Sequence, residues 1–287
     1  MKIILATSGG FCSGVKRAYN LIKSNHKKYT PPIQILGDLV HNSHVIAETK
    51  SWGINKVTDP KTIKRGTLII PAHGCDPKIF SLPNFKKVNL VDATCPKVSK
   101  IIERAKLLAQ EGKQVLIFGD ENHVEVQATN AAINNQGIII SKFSQLDSFL
   151  KQAGTNNKKQ FGLIAQTTQN IEDYEKIKKC LKKSNLKVEI LDTICTATRH
   201  RQKEAFRLAK EVDLMIIIGS PSSANSTRLY QIAKKINKRT YFIDSPAEIN
   251  NKQIKPNDII GISAGASTPD YIIKAVKQKI EQMAHNQ

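Results

Sequence analysis

The sequence predicts an α/β protein made of three similar α/β units with mainly parallel sheets in a pseudo-threefold arrangement, and three observations carry that reading. Short apolar runs recur along the chain, helical apolar spacing fills many of the gaps between them, and several runs repeat about 95 to 100 residues apart. Strand-sized apolar runs alternating with helices are the mark of parallel sheets covered on both faces.

Taken in order, the first run is 3–6, which leads through Gly9 and Gly10 to Cys12. Behind it Val15, Ala18, Tyr19 and Ile22 follow the i, i+3, i+4, i+7 rule of an amphipathic helix. Strand-sized runs follow at 33–36, 68–72 and 88–91. Cys95 and Pro96 come next; proline suits a first helical position, and Val98, Ile101, Ile102 and Ala105 supply an apolar face behind it. Runs at 115–118, 137–140, 161–165 and 188–191 continue the alternation. Between the last two, Ile177, Cys180 and Leu181 share one face of a helical pattern, which assigns Cys180 to core packing. After Cys195 a helical pattern covers 198–212, and strands at 214–218, 241–243 and 258–262 complete the chain.

The repeat is clearest around two cysteines. Val88-Asn89-Leu90-Val91-Asp92-Ala93-Thr94-Cys95 is matched by Val188-Glu189-Ile190-Leu191-Asp192-Thr193-Ile194-Cys195, with an Asp three residues before each Cys. Residues 115–119 parallel 215–219, and 68–74 parallel 163–168 and 259–267. Generic likeness among buried strands does not explain a paired Asp-x-x-Cys. The expected units are 13–95, 96–192, and 193–287 completed by 1–12.

Bulk properties exclude several classes. No apolar run approaches a membrane span, and the amino terminus lacks a signal-peptide core, so a cytoplasmic protein is expected. Five cysteines, an odd count without an export signal, argue against a disulfide framework and for metal binding or catalysis. The net charge of +20 favours anionic ligands and admits a basic nucleic-acid-binding protein as a rival reading. Against that rival, the lysines are spread along helices and loops with few aromatics between them, and no recognition module is present.

Cys12, Cys95 and Cys195 each end an apolar run and precede a helical pattern, the place where parallel sheets gather ligands and where thiol pKa values fall. Three such thiolates suit an iron-sulfur cluster or zinc, although the short spacings of structural zinc sites are absent. Cys75 follows His73-Gly74 at a strand end, and a structural or neutral role is assigned to it. His41, His73 and His123 also lie in strand-end loops, able together to contact a phosphorylated ligand. Glu125 supplies protons if its site is desolvated. Gln166-Thr167-Thr168, Ser222 to Ser226 and Ala264-Gly265-Ala266-Ser267 add hydroxyls, amides and backbone N–H groups that suit a diphosphate, while no P-loop or dinucleotide fingerprint occurs.

With these residues in hand, the chain resembles the 4-hydroxy-3-methylbut-2-enyl diphosphate reductase family nearly end to end. The resemblance rests on Gly10-Phe11-Cys12-Ser13-Gly14-Val15, Val40-His41-Asn42, Ala72-His73-Gly74, Asp92-Ala93-Thr94-Cys95-Pro96, His123-Val124-Glu125-Val126, Gln166-Thr167-Thr168, Ile194-Cys195, Ala224-Asn225-Ser226 and Ala264-Gly265-Ala266-Ser267. It implies a central [4Fe-4S] cluster, one per chain, held by Cys12, Cys95 and Cys195 with one iron left open. It implies Glu125 as proton donor working through Thr167, and substrate contacts from His41, His73, His123, Thr167, Ser223, Asn225 and Ser267. The implied reaction reductively removes the hydroxyl of an allylic diphosphate with two electrons and protons, giving isopentenyl and dimethylallyl diphosphate. The implied partner is a ferredoxin or flavodoxin as electron donor, with no specific nucleic acid and no membrane.

Three departures from the family pattern stand out. Ser8-Gly9-Gly10 replaces Pro-Arg-Gly, Val124 replaces a Pro after His123, and Ala224 replaces the second of two serines before Asn. The last removes one hydrogen bond to diphosphate, typically worth about 0.5 to 1.5 kcal/mol. An active but divergent enzyme is expected, with a catalytically degraded paralogue as the alternative.

Overall fold

The computed structural model describes residues 1–153 and 159–285. The chain opens with β1 (Lys2–Leu5), α1 (Ser13–Asn25), β2 (Ile33–Leu36), α2 (Ser43–Ser51), β3 (Ile54–Val57), β4 (Gly66–Ile70) and β5 (Val88–Asp92). It continues with α3 (Pro96–Gln110), β6 (Gln114–Phe118), α4 (Val124–Ala131), β7 (Ile138–Ile140), α5 (Phe143–Ala153), β8 (Gln160–Ala165), α6 (Ile171–Lys183) and β9 (Lys187–Ile190). The remainder is α7 (Thr196–Glu211), β10 (Leu214–Ile218), α8 (Ala224–Ile236), β11 (Thr240–Ile243), β12 (Ile259–Ala264) and α9 (Asp270–His285). Among the described residues no helix is long and apolar enough to cross a membrane.

The strands form three four-stranded sheets, ordered β3-β2-β4-β5, β7-β6-β8-β9 and β11-β10-β12-β1, with every pairing parallel. The order is the same in all three when β1 is counted as the last strand of the third sheet. By packing, the chain divides into two compact units. One holds residues 1–16, 40–51 and those from 196 onward, with the β1-containing sheet; the other holds residues 17–39 and 52–195, with the remaining two sheets.

Central strands are apolar because both faces are covered. All five residues of β4 and of β10 are buried. In the β6 sheet, Leu116 and Phe118 pack with Tyr174 and Ile177 of α6, while Val115 and Ile117 face Ile101, Ala105 and Leu108 of α3. That is the strand alternation a two-faced sheet requires. Tyr174 is fully buried and its hydroxyl donates to the Leu191 carbonyl at 2.8 Å, so the polar tip is satisfied. The β10 sheet repeats the scheme, with Ile216 and Ile218 on the α9 face and Met215 and Ile217 on the face of α7 and α8.

Strand β3 was not among the expected runs. It is an edge strand whose Ile-Asn-Lys-Val sequence buries only Ile54, so it carries little apolar signal. Cys180 packs against the β6-sheet core, as its helical spacing indicates. Cys75 lies in the core between β4 and its neighbours, and burial together with Asp92 and Asp76 pushes its thiol up to about 12. It is an inert packing residue.

Candidate active site

The sheet order decides where polar loops gather. Neighbouring strands whose connections leave in opposite directions open a crevice at their carboxyl ends. In these sheets the pairs are β2 and β4, β6 and β8, and β10 and β12. His41 follows β2 and His73 follows β4; His123 and Glu125 follow β6, and Thr167 follows β8; Ser223 and Asn225 follow β10, and Ser267 follows β12. The three cysteines instead follow the outer strands β5, β9 and β1.

Each cysteine is anchored in the same way. The N–H of Cys12 donates to the Ala266 carbonyl at 3.1 Å, that of Cys95 to Ala72 at 3.0 Å, and that of Cys195 to Thr167 at 3.1 Å. Every acceptor lies two residues past the end of the adjacent strand, β12, β4 or β8. Cys95 caps α3 with Pro96 at the first helical position, yet its thiol makes no capping bond. None of the three is in a disulfide, and all three are half-buried, unlike the buried Cys75.

The residues after β6 and β8 form the most developed chemistry in the second unit. Glu125 is 2% exposed, and both its oxygens are held by Thr167, the N–H donating at 2.6 Å and the hydroxyl at 2.6 Å. Burial raises the Glu125 carboxyl to about 7, and the two Thr167 donors restrain that rise. An acid so placed carries its proton near neutrality and can release it. His123 caps α4 by accepting the Glu125 N–H at Nδ1, 3.2 Å away. With Nδ1 as acceptor, the proton of the neutral imidazole is on Nε2. The ring stands edge-on to His73 with centroids 5.6 Å apart. Gln166 braces the loop, accepting the Asp120 N–H at 2.9 Å and donating to the Thr168 hydroxyl at 2.9 Å.

In the first unit Ser223 caps α8, accepting from the Ser226 N–H at 3.4 Å, and Asn225 is buried behind it. Ser267 donates its hydroxyl to the His41 carbonyl at 3.1 Å. Asn42 caps α2, its side-chain oxygen accepting the N–H groups of His44 at 3.1 Å and Val45 at 3.2 Å. Asn42 thus matches the capping positions of His123 and Ser223, a role legible in its place between an apolar run and a helix but not assigned from it.

The structure therefore brings together Glu125 with Thr167, His73 with His123, and Ser267 with His41. Among the described residues no three His, Cys, Asp or Glu side chains stand spaced to hold a metal ion. Val124 occupies the first position of α4, where the expected pattern has a proline, and the helix begins there all the same.

Residues 3–281 match the family model described as LytB protein. The chain is 36% identical to the 4-hydroxy-3-methylbut-2-enyl diphosphate reductase of Aquifex aeolicus, over 99% of this chain and 98% of that protein. It is also 36% identical to the protein of that name from Helicobacter pylori, over 98% of this chain and 99% of the relative. A solved structure of (E)-4-hydroxy-3-methyl-but-2-enyl diphosphate reductase, described as the terminal enzyme of the non-mevalonate pathway, aligns with a TM-score of 0.70 at 36% identity over 98% of this chain and 99% of the other. The Plasmodium falciparum E-1-hydroxy-2-methyl-but-2-enyl-4-diphosphate reductase aligns with a TM-score of 0.87 at 28% identity, over 98% and 87%. With this match running through all three sheets, the chain belongs to the LytB family.

Proposed function

We propose that the chain reduces 4-hydroxy-3-methylbut-2-enyl diphosphate, removing its allylic hydroxyl as water with two electrons and two protons to give isopentenyl and dimethylallyl diphosphate. The observation that carries this reading is Glu125, a buried acid titrating near 7 and bound on both oxygens by Thr167.

The donor set suits an iron-sulfur cluster: Cys12, Cys95 and Cys195 are half-buried thiols outside any disulfide, each with its backbone N–H pinned to a neighbouring strand-end loop. When bound, a [4Fe-4S] cluster on these three thiolates, with one iron lacking a protein ligand, supplies electrons and Lewis acidity. The Thr167 hydroxyl donates to Oε2 of ionised Glu125, and the same 2.6 Å contact lets protonated Glu125 pass its proton to that hydroxyl. The Thr167 carbonyl in turn takes the Cys195 N–H, which ties the proton store to a ligand-bearing loop. His41, His73, His123, Ser223, Asn225 and Ser267 supply the contacts to the diphosphate. The capped starts of α4 and α8 add the partial positive charge that favours phosphate.

The positive net charge suits an acidic ferredoxin or flavodoxin as electron donor, and cysteines outside any disulfide suit the reducing cytoplasm. The test is anaerobic purification, iron and sulfide analysis, and turnover of the diphosphate with a strong one-electron donor. A brown, cluster-bearing protein that consumes substrate is expected. Iron-free protein after anaerobic reconstitution, or a loaded protein without turnover, overturns the proposal.

A further inference from the structure

The segment between β1 and Cys12 is the longest lead-in to any of the three cysteines. Cys95 stands three residues past β5, whereas Cys12 stands seven past β1, and the stretch contains both Gly9 and Gly10. Gly10 has a φ of 89°, and a Cβ there would meet Asp270 Oδ1 at 2.6 Å, so no other residue fits without strain. Glycine-rich chain loses the most conformational freedom on ordering. Something must hold it.

Two side chains on α7 do so. Glu204 accepts the N–H and hydroxyl of Thr7 at 2.8 and 2.9 Å on one oxygen, and the N–H and hydroxyl of Ser8 at 2.9 and 2.5 Å on the other. Arg201, three residues earlier and 4% exposed, donates Nη2 to the Gly10 carbonyl at 2.6 Å. The grip ends at Cys12, whose N–H goes to Ala266 and whose Sγ accepts the Val15 N–H at 3.5 Å. Burial alone raises the Glu204 carboxyl, but the Ser8 and Thr7 donors outweigh it and hold the group below the usual carboxylate range. The latch is thus charged at neutral pH.

We propose that Glu204, assisted by Arg201, is a positioning residue for Cys12: its carboxylate latches the Thr7-Ser8 turn and so fixes the thiol as a cluster ligand. The proposal rests on the reading of Cys12 as such a ligand. A glutamine at 204 has one acceptor oxygen and cannot take all four donors.

The test compares wild type, Glu204→Gln, Ser8→Ala and Lys203→Gln as full-length proteins. Hydrogen exchange across residues 6–12 reads the latch without any need of the cluster, and the rate of iron loss to a chelator from the loaded protein reads the ligand. Glu204→Gln should speed exchange through Cys12 and iron loss by roughly tenfold or more, the size of a lost charge-assisted hydrogen bond. Ser8→Ala should move both in the same direction by less, and exposed Lys203→Gln should move neither. If Glu204→Gln accumulates poorly, Ser8→Ala carries the same test. Unchanged exchange, or faster exchange at Thr7 and Ser8 with unchanged Cys12 protection and iron loss, overturns the positioning role. Failure of the wild type to take up iron overturns the cluster reading instead, and exchange still judges the latch.

Discussion

The loops after β6 and β10 have the same construction and opposite chemistry. Gly119 and Gly219 follow the two strands, donating their N–H groups to the last residues of β7 and β11 at 3.1 and 2.8 Å. A Cβ on either would strike the third residue of the following helix, Val126 or Ser226, so both glycines permit a close approach. His123 and Ser223 cap the helices, and two residues on, at the second position of each helix, stand Glu125 and Asn225, both buried. The opposing loop differs. Thr167, two residues past β8, gives Glu125 an N–H and a hydroxyl, whereas the same position past β12 is Ala266. One scaffold carries a buried acid where the opposing strand-end position is a threonine and a neutral amide where that position is an alanine. Burial pushes the acid up, and Thr167 brings it back to where the proton can leave.

The sharpest break of this contrast is Glu125→Gln, which makes the first loop resemble the second. Turnover should fall by roughly 10²- to 10⁴-fold, the usual worth of a general acid, with iron content unchanged. In the wild type the rate should decline as pH rises through about 7, where Glu125 gives up its proton, and that limb should vanish in the variant. The same residue governs stability. Its folded value of about 7 lies above the ordinary 4.5, so its contribution is full below pH 4.5 and is lost as pH rises through 7. The loss is on the order of 3 kcal/mol at most. Glu125→Gln should flatten denaturation curves across that window, and an unchanged pH dependence of unfolding would place the proton elsewhere.

The converse change, Asn225→Asp, sets an acid in the second loop without a threonine opposite. Without donors opposite, burial should hold the new carboxyl protonated through neutral pH, so the variant should raise KM for the diphosphate roughly tenfold through loss of the amide donor, and add no titration near 7. A new pH limb near 7 in that variant would mean that burial alone tunes the acid. Thr167→Val keeps the N–H and deletes the hydroxyl donor to Glu125. The pH limb should move up by about one to two units and the plateau rate drop by roughly tenfold.

These relations explain what could be read along the chain. The cysteines were legible because each sits between a strand-sized run at a sheet edge and a helix with an apolar face, and the helix leaves a periodic signal. The repeat was legible because Asp92 and Asp192 precede Cys95 and Cys195 by equal steps. The state of Glu125 was not, since beside Asn122 and His123 it reads as a solvated loop acid, and its burial depends on Thr167 in another strand-end loop 42 residues away. Glu204 was further out of reach, because its donors lie 196 and 197 residues earlier and nothing on α7 marks it off from a surface charge.

The smallest expected effect tests whether the second loop is specialised for binding alone. Ala224 is the first residue of α8, directly after the Ser223 cap, and its methyl stands where the family pattern has a hydroxyl. Ala224→Ser adds one donor at a helix start that already favours anions. A neutral hydrogen bond of about 0.5 to 1.5 kcal/mol corresponds to a decrease in KM of roughly 2- to 10-fold. Because α8 contributes no proton, kcat and the limb near pH 7 should stay where they are. A gain confined to KM keeps binding and proton supply in separate loops; a change in kcat or in the pH limb would show that diphosphate contacts at α8 also set the proton path through Thr167.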